Sequence, residues 1–512
     1  MALAEDLGGS WFLFATVTET TGQQAHERFG TAVRRRVAID LRALAAFRIA
    51  LGLLLLTNLL TRARYLGVFY TDSGAFPRST LLATHPGANQ VFTYLPDPWG
   101  PILLFPVAGA FALALVVGYR TRLATAISLV LLVLLHLRNP LVLNSGDLLL
   151  RSLLVWALFL PLDRRWSIDA RRYDPGTDTT ANVATAAVLI QVVLVYVINA
   201  TYKVDGELWR SGEAVAHVFQ ADQLTYLLGD LLAEFPMVLM AATYLWMVLL
   251  VASPLLLVTT GWRRTLLTSV FVAVHAGMLV SMPIGLFPLI SIAGLLLFSP
   301  PSAWTTAGRL VGDSALTDRV RRWTNRVEAA VSPSGRLWPQ WPGVDRVVGG
   351  IATVLPAILL VLVLLSAGSI ATDTALPEPV EKSLDTTNLQ QRWQMFAPYP
   401  TSTTRWMAFP ANTTAGTSVD AFYGGPPDLD RPASVDSTYP SNRWRKFFQS
   451  VREDDGGPYR TAFAAYLCEQ WNREHETDLS RVAIYAGDER TDPFGGGTTD
   501  SGGRYLLRHE CP

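Results

Sequence analysis

The chain has 512 residues, half of them hydrophobic and only 16% charged, against about 25% charged in soluble proteins. Its 42 Lys+Arg equal its 42 Asp+Glu, which excludes a globally basic nucleic-acid binder. Two cysteines are too few for a disulfide scaffold or a four-cysteine zinc site. What remains is a membrane protein carrying a polar portion, and the charge is split accordingly. Residues 1–372 hold 28 basic against 22 acidic side chains, whereas 373–512 hold 14 against 20.

Residues 1–37 read as a cytoplasmic segment. The Trp11-Phe12-Leu13-Phe14 patch follows Glu5 and Asp6 without a basic flank, so it is not a secretory signal. Apolar runs near the roughly 20 residues needed to cross about 30 Å of hydrocarbon then lie at 41–61, 101–119, 121–137, 148–162, 183–202, 235–260, 264–281, 282–299 and 347–368. The pair 264–281 and 282–299 is divided by Ser281-Met282-Pro283; 36 apolar residues are too long for one crossing, so two are predicted. Arginines gather on one side at Arg34-Arg35-Arg36, Arg120, Arg122, Arg164, Arg165, Arg171, Arg172, Arg263 and Arg264, and throughout the 301–346 linker. The positive-inside rule therefore places the amino terminus in the cytoplasm and the acidic end outside a multi-pass cell-membrane protein.

The fold class predicted is an all-α polytopic membrane bundle of about nine transmembrane helices with a small C-terminal α+β extramembrane domain. Helices one to eight occupy 38–300, the basic linker 301–346, the last helix 347–369 and the extracellular domain 370–512. That domain opens with a linker around Pro377 and Pro379. Extended segments follow at Arg405–Phe409 and Val419–Tyr423, a helix at 458–474, a strand at Arg481–Tyr485 and a glycine-rich loop from Pro493 to Gly503.

Lysine usage singles out one residue. Among 39 arginines there are three lysines, Lys203, Lys382 and Lys446, and Lys203 closes the fifth apolar run. A buried lysine can lose its proton and serve as a base where arginine cannot; the plainer reading is an interfacial anchor. Arg48, Arg151, Gln191, Asn199 and His275 also lie within the runs, and Asn139, Asn144 and Asp147 lie just before the fourth. Such groups usually face a bundle interior or a wet cavity. For the arginines the structural reading is a clamp, Arg48 or Arg151 with Asp147; for His275 it is packing. Cys468 and Cys511 are candidates for one disulfide in an oxidising exterior, or two unrelated thiols. The histidines are too scattered for a metal site, and no hydrolase elbow or phosphate-cradling loop is present.

The ordered set of fragments resembles the vitamin K-dependent gamma-glutamyl carboxylases and, more closely, their microbial relatives, the horizontally transferred transmembrane (HTTM) domain proteins. The stretches concerned are Leu44–Gly52, Gly118–Arg122, Asn144–Asp147, Trp166–Asp169, Gln191, Tyr196 and Lys203 with Asp205 and Trp209, His275, Gly285–Pro288, Ser299–Trp304 and Gln391–Pro400. The resemblance implies a lyase and quinol epoxidase that oxidises a reduced naphthoquinone, vitamin K or menaquinol, with O2. The strong base so generated takes the gamma proton of a glutamate in a secreted polypeptide, and the carbanion takes CO2. It implies Lys203 as the base that deprotonates the quinol, with His275 and Asp147 as further catalytic candidates. Asn144, Asn199, Tyr202, Trp209, Arg48 and Arg151 would form the quinone pocket or its polar support. No metal is implied, the lipid bilayer is the surrounding partner, and the oligomeric state is left open. The pattern departs at one point, because the carboxylases carry a histidine just after the asparagine before the fourth span, where this chain has Gly146 and Asp147. A non-catalytic accessory factor in peptide maturation or export is the alternative. A transporter is weaker, since no interrupted helices recur in matching halves.

Overall fold

The computed structural model describes residues 27–85, 97–173, 178–311, 342–387, 389–455, 457–495 and 497–512. The Trp11–Phe14 patch and linker residues 312–341 lie outside the described residues. The bundle consists of α1 (Leu41–Ala63), α2 (Trp99–Val117), α3 (Thr121–Arg138), α4 (Ser145–Ala157), α5 (Val183–Val204), α6 (Pro236–Ala252), α7 (Gly261–Ser281), α8 (Phe287–Leu295) and α9 (Pro342–Thr372).

Six helices among the described residues are long and apolar enough to cross a membrane, or seven if α8 with its continuation is joined to Pro301–Arg309 across a 107° bend. The nine full-length spans predicted are therefore not all present; in two of the three short runs the helix stops ahead of a proline. The 148–162 run leaves helix at Leu158, three residues ahead of Pro161, which cannot continue it. The 235–260 run stops at Ala252, ahead of Pro254, and resumes as the short Leu255–Val258 helix. Burial separates the centre of the bundle from its rim. In α1 and α5, 61% and 67% of the apolar window is buried, against 22% in α2 and in the last span. A helix apolar all round and left uncovered by protein is what lipid contact allows.

The C-terminal portion adds α10 (Glu378–Thr387), β1 (Thr403–Ala408), β2 (Pro410–Thr413), β3 (Ser418–Asp420), α11 (Asn442–Glu453), α12 (Pro458–Glu474), β4 (Leu479–Asp492) and β5 (Gly497–Glu510). Strand β4 is the spine of an antiparallel sheet: β1 and β2 pair along one edge of it and β5 along the other. Two expectations fail here. The predicted linker at Pro377 and Pro379 starts α10, where proline suits a first turn. The predicted loop at Pro493–Gly503 becomes, from Gly497 onward, part of β5; the long ladder to β4, Thr498 opposite Thr491 through Glu510 opposite Arg481, overrides the glycines. A disulfide joins Cys468 of α12 to Cys511 after β5.

The domain is not an appendage, because one apolar cluster runs through both parts. Trp444, Phe447, Phe448 and Phe463 from α11 and α12 share it with Phe69, Tyr70 and Phe76 from the α1–α2 connection. A polar knot lies beside that cluster. Asn144 and Asp147 form a capping box at the start of α4, satisfying two orphan amides. Asp147 also accepts from Arg62 Nη2 of α1 at 2.8 Å, Asn58 Nδ2 at 3.0 Å and Arg443 of α11 at 3.2 and 3.3 Å. The clamp thus exists with other arginines than the two proposed for it. Arg48 is 14 residues from Arg62 along α1, roughly 21 Å at 1.5 Å per residue, so it stands at the opposite end of the bundle. There it donates to the carbonyls of Leu115 and Val116, in the last turn of α2, at 2.5 and 2.6 Å, and to Trp166 O; a cation there complements the helix dipole. Gly118 ends α2 with φ 71°, and a Cβ on it would stand 2.2 Å from that of Ser167. Arg151 lies one turn beyond Asp147, but its Nε is buried without a hydrogen-bond partner among the described residues.

Asp147→Asn leaves Arg62 and Arg443 buried without their countercharge. Breaking a buried pair this way costs about 3–5 kcal/mol. The expected outcome is a clear fall in the thermal unfolding midpoint of the protein in lipid nanodiscs, with earlier proteolysis of the C-terminal domain. An unchanged midpoint would show that the knot does not hold the domain.

Candidate functional site

Between the C-terminal domain and the neighbouring ends of α5–α8 lies a cavity of about 760 Å³. The bundle supplies an apolar wall that includes Tyr196, Leu239, Trp246, Met278 and Phe287; the domain supplies Arg405, Tyr439, Asn442, Arg445, Lys446 and Arg452. Between the two walls runs the segment Gln394–Ala397.

That segment is secured by α5 and the short helix after it. Gln191 donates to Gln391 at 2.8 Å, and Trp393 Nε1 donates to the same Gln391 oxygen at 2.8 Å. Asn199 Nδ2 donates to Trp393 O and Gln394 O at 2.8 and 3.0 Å. One turn on, Lys203 Nζ donates to Met395 O at 2.8 Å and sits 3.4 Å from the centroid of the Trp209 indole, whose Nε1 donates to Phe396 O at 3.0 Å. The backbone is bent to offer these carbonyls. Met395 and Phe396 adopt φ of 30° and 62°, a left-handed region costly for residues with a side chain and found most often where function imposes it. Gly206 makes the close approach possible, since a Cβ there would lie 2.2 Å from Pro398 O.

Lys203 is only 1% exposed, so it does not snorkel to a headgroup region. No carboxylate forms an ion pair with it among the described residues; its neighbours are a carbonyl and an indole face. A cation is attracted by such a ring, and a neutral amine can still donate to the carbonyl. Lys203, Asn199 and Trp209 all line the cavity, as does Asn144, whose Nδ2 donates to Asn442 at 2.9 Å. Asn442 in turn donates to Pro283 O at 2.7 Å.

The remaining candidates stand behind the wall. His275 donates through Nδ1 to Phe271 O at 2.8 Å, its Nε2 has no partner among the described residues, and its ring lies 5.8–6.2 Å from those of Trp246, Tyr196 and Phe287. Those three rings line the cavity, so His275 is one layer back. Tyr202 packs, half-buried, against the bundle core, and Asp147, Arg151 and Arg48 are engaged or enclosed as described above. Gly146 does line the cavity, and a Cβ there would lie 3.0 Å from Phe287 N and Cα. A bulky side chain in this position therefore requires α8 to move away.

The residues of the domain wall have no sequence signal, since Arg405 and Arg445 are two among 39 arginines. Lys446 alone stood out by type, and it lines the cavity together with Lys203. Burial in this wall lowers Arg445 to about 10, lowers Lys446, and raises Tyr439 to about 12. Arg445 keeps its charge at neutral pH, and Tyr439 keeps its proton.

Residues 37–304 match the HTTM domain family, a little over half of the chain. The protein belongs to the HTTM domain family. No curated protein and no solved structure matches the chain. The HTTM domain thus covers α1 to α8, whereas the segment that covers Lys203 and the domain wall comes from the chain beyond it. Among the described residues no group of three or more His, Cys, Asp or Glu side chains could hold a metal ion.

Gly206→Ala introduces an overlap with a backbone carbonyl that no side-chain rotation removes. The expected outcome is displacement of the 395–398 segment, read as a lowered unfolding midpoint and a changed near-ultraviolet circular dichroism of the packed tryptophans. A substitution silent in both would contradict the tight contact.

Proposed function

We propose that this HTTM protein is an integral membrane enzyme of the gamma-glutamyl carboxylase type, with Lys203 as its base and a reduced naphthoquinone as its oxidisable substrate. The single observation that carries the reading is the position of Lys203: a buried amine on a cavity wall, without an ion-pair partner among the described residues, held against Met395 O and Trp209. The cavity fits a quinol in kind. Its bundle wall is apolar and aromatic, as a fused ring requires, and Lys203 and Asn199 place polar groups beside that wall at the end of α5. Bound there, a reduced naphthoquinone would supply the electrons for reaction with O2.

The chain's own groups have distinct tasks in this reading. Lys203 Nζ, once neutral, accepts the proton of a quinol hydroxyl. Asn199 and Trp209 hold the strained carbonyl segment against which Nζ is aimed, so that the amine cannot swing away. Tyr196, Trp246 and Phe287 exclude water from one face, which strengthens electrostatic interactions within the site. His275 is enclosed by that aromatic layer and positions it. Carboxylation of a glutamate in a secreted polypeptide with CO2 is the further step proposed, and the peptide would reach the cavity from the domain side. Sidedness belongs to the same proposal. The arginine-rich loops favour a cytoplasmic amino terminus, and the Cys468–Cys511 disulfide suits an oxidising exterior for the domain.

The second reading, a non-catalytic accessory protein in peptide maturation or export, has two observations in its favour. The hydrogen bond from Lys203 to Met395 O is also what a structural peg makes, and Gly146 stands in the region of the carboxylases' histidine. The two separate experimentally. Purified protein in nanodiscs receives vitamin K hydroquinone or menaquinol with O2, labelled bicarbonate and a glutamate-rich peptide. Quinone epoxide is expected from wild type and at least 100-fold less from Lys203→Ala and Lys203→Arg, with partial recovery of Lys203→Ala by added small alkylamines. Label in the peptide would establish carboxylation. Folded wild type that makes no epoxide with either quinol would move the accessory reading to first place.

A further inference from the structure

The cavity holds more positive charge than a neutral quinol needs. Beside Lys203 itself, four lining side chains are basic, Arg405, Arg445, Lys446 and Arg452, and none of the described lining residues is acidic. This is unexpected for a domain whose overall balance is 14 basic to 20 acidic side chains. Arg452 is neutralised by Asp488 at 2.6 Å. Arg405, Arg445 and Lys446 form no ion pair among the described residues. Lys446 Nζ donates to Gln449 at 3.1 Å and Arg445 Nη2 to Pro283 O at 3.3 Å, both neutral acceptors. The Nε atoms of Arg405 and Arg445 are buried and have no hydrogen-bond partner among the described residues. Guanidinium donors left unsatisfied in a wall are costly unless a ligand completes them.

Opposite this basic wall stands the apolar one, and it reaches the edge of the bundle. Leu228 and Val280 line the cavity and are 52% and 39% exposed, Val280 in the last turn of α7. One chamber therefore offers cationic hydrogen-bond donors on one wall and a partly exposed apolar surface on the other.

We infer that the chamber binds an amphipathic anion, a phosphate-type or carboxylate headgroup on an aliphatic tail, with Arg405, Arg445 and Lys446 on the headgroup and Leu239, Trp246 and Met278 along the tail. Arginine suits oxyanions through its forked donors, and the tail contributes by burial. The inference needs only the cavity and does not depend on quinol oxidation. Such a molecule would either be a second substrate carried in from the bilayer or a lipid that regulates access to Lys203. Both share the chemistry stated here.

The test uses the full chain in nanodiscs of zwitterionic lipid. Tryptophan emission reports binding, because Trp209, Trp246 and Trp406 line the cavity. Four probes are titrated: dodecyl phosphate, inorganic phosphate, dodecanol and dodecyltrimethylammonium. Dodecyl phosphate is expected to bind at least 30-fold more tightly than each of the other three, and more weakly as salt is raised. Arg405→Gln combined with Arg445→Gln is expected to reduce dodecyl phosphate binding at least 10-fold and leave dodecanol unchanged. Lys446→Gln, which removes one charge from a half-buried position, is expected to give a smaller loss in the same direction and covers the case of a misfolded double variant. Equal binding of the cationic and anionic amphiphiles would overturn the proposal. So would phosphate binding as well as dodecyl phosphate, or folded variants that bind dodecyl phosphate as wild type does. Epoxide formation is measured separately, so failure here and failure of the quinol reading are distinguishable.

Discussion

Asp147 is the point on which the architecture turns. It is a buried carboxylate that caps its own helix, takes Arg62 from the first helix and takes Arg443 from a domain almost 300 residues later in the chain. A buried charge is tolerated only when its partners are complete, so the helix start, the first span and the domain must arrive together. The consequence is positional. With Arg443 fixed, Asn442 reaches Asn144 and Pro283 O, and the same turn of α11 presents Arg445 and Lys446 to the cavity. The domain is in this sense the roof of the site.

The second constraint is the segment Gln391–Ala397. It enters as a buried polar ladder, Trp156 to Gln191 to Gln391 to Trp393, and leaves past Gly206. Two residues with positive φ turn successive carbonyls to Lys203 and Trp209. Strain of this kind persists where surrounding contacts over-determine it, and here six hydrogen bonds from α5, its neighbour and the segment itself do so. Membership of the HTTM family covers the helices, while the roof and the strained segment lie beyond the matched residues. The proposed site therefore includes parts that the family match alone does not describe.

Much of this was legible in the sequence, for identifiable reasons. Apolar runs of about 20 residues mark membrane helices without any need for partners, and α1, α2, α3, α5 and α7 lie where those runs lie. Lys203 could be found because lysine is scarce in the chain. What could not be read is what depends on pairing at long range. Nothing near Asp147 distinguishes Arg443 from Arg48 or Arg151 as its partner; only the direction of α1 excludes Arg48. Strand β5 was hidden by its glycines and is held by a neighbour rather than by propensity. Arg405 and Arg445 carry no local pattern at all, and their role follows from an enclosed space that exists only in three dimensions.

The most direct test of the account is to ask where a quinone resides. A photoactivatable naphthoquinone, irradiated with the protein in nanodiscs and mapped by peptide mass spectrometry, is predicted to mark the cavity wall: the 394–397 segment, Trp209 and Trp246. Unlabelled menaquinone should compete the labelling away. Labelling confined to the outer faces of α2 and α9, or spread evenly over lipid-facing residues and indifferent to the competitor, would contradict the claim that the chamber beneath the C-terminal domain is the functional site.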